Sequence, residues 1–224
     1  NFNIGLPIEK GYAFQDGRIY NAMYHAEAWD DIEGPTKGAI KYAVHRGKLL
    51  LQTNAAISDK LKQEIGSNHE RRIGIVCSGN PVHKNDIFRS ISLETLIEAL
   101  PSDYSVLMIQ KDIRAEDGIY LRQKTTIRDL SQTISSFEDT ASIIQNLDLV
   151  ISVDTSVAHL AGAMGKPVWI LLPFHPDFRW LRDRSNSPWY PTARLYRQSK
   201  AGDWTGVLEN VRKDLELFAQ GIPL

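Results

Sequence analysis

The chain has 224 residues, 42% hydrophobic and 24% charged, the composition of an ordinary globular protein rather than a disordered one. With 26 basic against 27 acidic residues the formal net charge is −1, so nothing global favours nucleic acid or anionic membranes as partners. Apolar runs reach only about seven residues, far short of the roughly 20 a transmembrane helix needs.

In chain order, residues 1–48 carry scattered glycines, prolines and aromatics. The stretch Ile19 to Trp29 reads as a helix on its alanines. Within 49–70, Ile57, Leu61 and Ile65 form one stripe at spacing four, which predicts a linker helix ended by Gly66. The opening NFNIGLPIEKGYAF has no basic region followed by an apolar core, so cytoplasm is the expected compartment. It also lacks an initiator Met, and the native start is expected upstream. Cys77 is the single cysteine. It excludes an internal disulfide, and its apolar context predicts a buried thiol.

From Arg71 the punctuation becomes regular. Ile73 to Cys77 reads as a strand, followed by a polar loop from Ser78 to Arg89. Ser92 caps a helix running to Leu100, and Tyr104 to Ile109 and Thr125 to Leu130 read as strands. Ser136 and Asp139 have capping-box spacing ahead of a helix with Ile143, Ile144 and Leu147 on its apolar face. Leu149 to Val153 is a strand covered on both faces. Asp154, Thr155 and Ser156 stop it, and with Ser156 as N-cap a short helix follows from Val157 to Met164. Gly165 ends that helix, Pro167 forbids its continuation, and Val168 to Leu172 is the next strand. The aromatic loop Phe174 to Pro191 leads to an edge strand, Ala193 to Tyr196. The last helix packs Trp204, Val207, Leu208, Val211 and Leu215 at helical spacing. Alternating strands and helices predict an α/β fold, a doubly wound, Rossmann-like parallel sheet over 71–224.

Ligands of such sheets bind at the carboxyl ends of strands, beside helix N-termini. The turn Asp154-Thr155-Ser156, with His159, stands at such an end, where free backbone N–H groups suit a phosphate. The competing reading makes Thr155 and Ser156 plain caps and His159 a packing residue. The loop SGNPVHKNDIFRS offers Gly79 for close backbone approach and His83, Lys84 and Arg89 for positive charge. It matches neither the G-x-G-x-x-G fingerprint nor the Walker A pattern, and a ligand-free solvated loop is its alternative. In the aromatic loop, Phe178, Trp180, Trp189 and Tyr190 cap a core edge or form a wall for a base or sugar. No cysteine cluster, H-E-x-x-H or paired strand-end carboxylates appear, so no metal and no cofactor are expected.

These segments, with PDFRWLRDRSNSPWYP and a late GDW, resemble the C-terminal half of bacterial ADP-heptose:lipopolysaccharide heptosyltransferases, particularly members attached to tetratricopeptide repeats. The resemblance covers about residues 49–218. It implies the GT-B architecture, with 71–224 as the nucleotide-sugar-binding domain and 1–48 as a reduced acceptor-side region. It places Gly79, Asn80 and Lys84 near the donor diphosphate. Asp154, Thr155, Ser156 and His159 would touch phosphate and transferred sugar, and Gln110 and Lys111 the ribose. Typical heptosyltransferases have Gly where this chain has Ser156, so the turn departs from the heptosyltransferase pattern there. The base would come from the N-terminal side, where Asp16, Glu27, Asp30 and Asp31 are candidate carboxylates. The expected activity is metal-independent hexosyl or heptosyl transfer from a nucleotide-sugar to a glycan, lipid-linked or protein acceptor. The alternative is a non-catalytic nucleotide-sugar-binding module without an acceptor domain.

Overall fold

A computed structural model describes residues 71–124 and 126–222, together with Ile57 and Asp59. The acceptor-side region 1–48, with Asp16, Glu27, Asp30 and Asp31, lies outside the described residues. So does the linker 49–70, apart from Ile57 and Asp59, both helical.

The elements are β1 (Arg72–Val76), α1 (Asp86–Arg89), α2 (Leu93–Glu98), β2 (Ser105–Met108), α3 (Ala115–Gln123), β3 (Ile127–Asp129), α4 (Phe137–Gln145), β4 (Leu149–Val153), α5 (Ser156–Ala163), β5 (Val168–Leu172), β6 (Ala193–Arg197) and α6 (Thr205–Ala219). The six strands form one sheet in the order β3-β2-β1-β4-β5-β6, and every pairing is parallel. This is the doubly wound α/β arrangement expected from the sequence.

The strands alternate their side chains between two cores. Leu107, Val150, Ile170 and Leu172 meet Ile143 and Ile144 of α4 and Ala158 and Ala161 of α5. On the other face Ile73, Ile75, Ile151 and Leu171 meet Leu93 and Leu96 of α2 and Val207, Val211 and Leu215 of α6. Gly74 leaves room for the chain just after α4: a Cβ there would lie 2.4 Å from Leu147 Cδ1.

Several punctuation signals work as expected. Ser136 and Asp139 close a capping box on α4. Gly165 takes φ +70° after α5, and the N–H of Lys166 reaches Ala161 O at 3.0 Å, the longer bond of a Schellman ending. Two helices differ from the reading. α1 sits inside the expected polar loop, and α3 occupies a stretch with no predicted element. α3 buries only Asp117 and Leu121, so it has no apolar stripe to detect.

Candidate functional site

β1 and β4 are neighbours, but β1 connects to β2 on one side and β4 to β5 on the other. The connections diverge and leave a crevice at the strands' carboxyl ends. A cleft of about 600 Å³ occupies it. The loop after β1 (Ser78 to Pro81) and Arg89 form one wall, and Gln110 and Lys111 beyond β2 a second. Thr155, Ser156 and Val157 at the start of α5 form the third, and Ile134 to Phe137 with Thr140 a fourth.

Of the residues expected to hold a ligand, Gly79, Asn80, Arg89, Gln110, Lys111, Thr155 and Ser156 line this cleft; His83, Lys84, Asp154 and His159 do not. His83 and Lys84 are exposed, and His83 Nδ1 accepts from the N–H of Asn85 at 3.2 Å. The cations on the cleft wall are Arg89 and Lys111. Lys111 Nζ lies 3.4 Å from Ser135 O.

Gln110 shapes the site from within. It is buried, and its Oε1 accepts from the N–H groups of Cys77 at 3.1 Å and Ser78 at 3.0 Å. Its Nε2 donates to Ser78 Oγ at 2.7 Å and Asp112 O at 2.8 Å. With its amide committed on both sides, Gln110 holds the loop after β1. Cys77 is buried beside it, 3.6 Å from Asp117 Oδ2. Burial first, then Asp117, push its thiol up to about 12.

Gly79 also leaves room for a side chain. The Arg89 guanidinium lies over it, and a Cβ would come within 2.4 Å of Nη2. From there Nη1 of Arg89 donates to the backbone carbonyl of Asp154 at 2.9 Å, crossing from the β1 loop to the end of β4.

Two helix N-termini meet at the cleft. That of α4 carries its capping box: Asp139 Oδ2 accepts from the N–H groups of Ser135 and Ser136, both at 2.9 Å. At α5 the N-cap is Thr155, one residue earlier than expected, and its side chain makes no cap bond. Its Oγ1 instead lies 3.0 Å from Ser152 Oγ. The first-turn N–H groups of α5 thus take no bond from the cap side chain and suit an anion.

The earlier cap moves His159 one position along the helix, away from the cleft. Its ring stacks on Trp180 at 5.0 Å, Nδ1 lies 2.8 Å from Tyr190 Oη, and Nε2 lies 3.7 Å from Asp154 Oδ1. Burial is the largest influence on the Asp154 carboxyl and raises it, while the adjacent His159 imidazole lowers it. Arg179 helps, as does the indole N–H of Trp180, short of a full hydrogen bond; the net effect holds Asp154 below its ordinary value. Trp180, Trp189 and Tyr190 are buried, so they cap the core edge. Phe178 does not; it is 66% exposed, with Arg179 5.6 Å above its ring.

Residues 123–173 match the family model for glycosyltransferase family 9 (heptosyltransferase). The family 9 segment contains β3, α4, β4, the Asp154 turn, α5 and β5, and thus two walls of the cleft. The glycosyl transferase family 9 structure from Veillonella parvula superposes with a TM-score of 0.51 at 13% identity, over 75% of this chain and 50% of that one. E. coli ADP-heptose lps heptosyltransferase II gives 0.48 at 18%, over 76% and 53%. Protein FlbA of Caulobacter vibrioides is 30% identical over 86 residues, 38% of this chain and 14% of FlbA. The chain spans about half the length of the solved structures it matches. The heptosyltransferase resemblance seen in the sequence is matched by the family 9 segment, and the Veillonella protein shares the fold.

Sequence reasoning missed Asp86, which bonds Arg89, Ser90 and Arg114, and the Ile134 to Phe137 wall. The capping box announced the start of α4 but not that it faces β1.

Proposed function

We propose that the cleft between β1 and β4 binds the nucleoside diphosphate of a nucleotide-sugar, and that the protein transfers the sugar to an acceptor. The described residues would form the donor half of a GT-B-type glycosyltransferase. The observation that carries this is the meeting of Arg89, Lys111 and the uncapped start of α5 on one cleft, two of whose walls belong to the family 9 segment.

The chemistry follows from the charges. Displacement at the anomeric carbon leaves negative charge on the departing diphosphate. Preorganised donors aimed at that charge contribute about 3–4 kcal/mol each. Arg89 and the N–H groups of Ser156 and Val157 fill that role, and Lys111 adds a mobile cation. Ile134, Phe137 and Pro81 offer an apolar seat for the base. Among the described residues no group of three or more His, Cys, Asp or Glu is arranged to hold a metal, so the reading assigns charge neutralisation to these donors. An acceptor hydroxyl would be deprotonated by a carboxylate from the N-terminal side.

Titration of nucleoside diphosphates by calorimetry, followed by donor hydrolysis and transfer assays, tests the reading. Binding with turnover supports it. Binding without turnover supports the non-catalytic module, and no binding removes the cleft from consideration.

A further inference from the structure

Asp86 is only 4% exposed, although its neighbours Asn85, Ile87 and Phe88 are exposed. Its Oδ1 lies 3.4 Å from Arg89 Nε and accepts from Ser90 Oγ at 3.1 Å. Its Oδ2 accepts from Arg114 Nη2. Ser90 Oγ in turn accepts from the N–H of Gly79 at 3.2 Å and from Arg114 Nη2 at 3.0 Å. Arg89 carries the chain onward to the Asp154 carbonyl. One buried carboxylate thus links groups beyond the carboxyl ends of β1, β2 and β4, the strands around the cleft.

We propose that Asp86 is a positioning residue: it holds the Arg89 guanidinium over Gly79, at the cleft wall, for a diphosphate. This rests on the reading that the cleft binds a nucleoside diphosphate. A carboxylate close to an anion site is otherwise a liability, because it repels the ligand. Its presence here is explained if orienting Arg89 gains more than that repulsion loses. Arg89 has a flexible stem, and a guanidinium fixed by two partners loses less freedom when it binds a third.

Charge and positioning predict opposite signs. Asp86→Asn removes one negative charge beside the cleft with little change of shape. Acting by charge alone it tightens anion binding; acting through Arg89 it weakens it. The experiment titrates ADP, GDP, UDP and CDP into the full chain by calorimetry, for wild type, Asp86→Asn, Arg89→Met and the double variant. The expected result is about 10-fold weaker binding of the preferred diphosphate by Asp86→Asn. In the Arg89→Met background the same change should alter affinity by less than about 2-fold. Tighter or unchanged binding by Asp86→Asn overturns the proposal, as does an equal loss in both backgrounds, which would mean that Asp86 serves the fold alone. Should Asp86→Asn fail to fold, Ser90→Ala removes one link without a change of charge. It should weaken binding about 3-fold, again only when Arg89 is present, and unchanged affinity overturns the proposal. No binding of any of the four diphosphates by wild type overturns the reading of the cleft, and the proposal with it. Wild-type binding with a tighter Asn variant overturns the positioning role alone.

Discussion

Nδ1 of His159 lies 2.8 Å from the hydroxyl of Tyr190, a bond that ties α5 to the far end of the aromatic loop. The Tyr190 ring lies flat against Gly162, where a Cβ would meet ring carbons at 2.5 Å. Gly162 and His159 thus make one seat for Tyr190, and the imidazole is turned toward the loop.

The seat makes a stability prediction. Gly162→Ala drives a methyl group into the Tyr190 ring and should destabilise the protein by about 1–3 kcal/mol. Tyr190→Ala costs stability by itself but removes the clash, so the double variant should be less destabilised than the sum of the singles. Urea denaturation of the three variants measures the coupling, and strict additivity would show that residue 162 does not feel the ring.

The two basic positions in the β1 loop region separate in binding. Arg89→Met should weaken nucleoside diphosphate binding by about 1.5–3 kcal/mol, the range for a hydrogen bond to a charged group. Lys84→Ala, at an exposed position off the cleft wall, should change it by less than about 0.5 kcal/mol. Calorimetry on both variants decides between them, and a larger loss at Lys84 would place the diphosphate outside the cleft described.

Asp154 predicts an acid limb of stability. Its carboxyl is held below the ordinary value of 3.8. A depressed folded value means that the unfolded chain takes up the proton first as pH falls. The contribution is therefore complete above about pH 4 and is lost as pH drops through the lowered folded value. Asp154→Asn should flatten the pH dependence of stability in that window and leave its slope near neutrality alone. Denaturation curves from about pH 5 down to pH 2 measure this, and parallel profiles would contradict it.

Cys77 predicts silence toward thiol reagents. With the thiol raised to about 12 by burial and by Asp117, almost no thiolate exists near neutral pH, and the side chain is fully covered. A disulfide reagent at about pH 8 should modify it only after unfolding by urea. Rapid reaction of the native protein would show that the segment after β1 opens.

What could be read from the chain alone was whatever local sequence encodes. β1, β2, β4 and β5 are short apolar runs, and buried parallel strands have no other signature. Ser92, Ser136 and Gly165 mark helix ends because a cap is a bond between near neighbours in sequence. The Asp154 turn and the Gly79 loop read as strand-end segments in the sequence, and both border the cleft. Other features depend on distant partners. α3 is polar on most of its surface and buries an aspartate, so no periodicity announces it. The strand order that sets β1 beside β4 is invisible to local patterns, since a right-handed crossover can lead to either side of a sheet. The chain offers Lys84 and Arg89 within one basic loop. Only tertiary structure sends Arg89 to the Asp154 carbonyl and leaves Lys84 in solvent, because the bond that selects between them spans 65 residues. His159 likewise stands four residues from Thr155, yet its direction is set by Trp180 and Tyr190, which reach it only once the aromatic loop has folded onto α5.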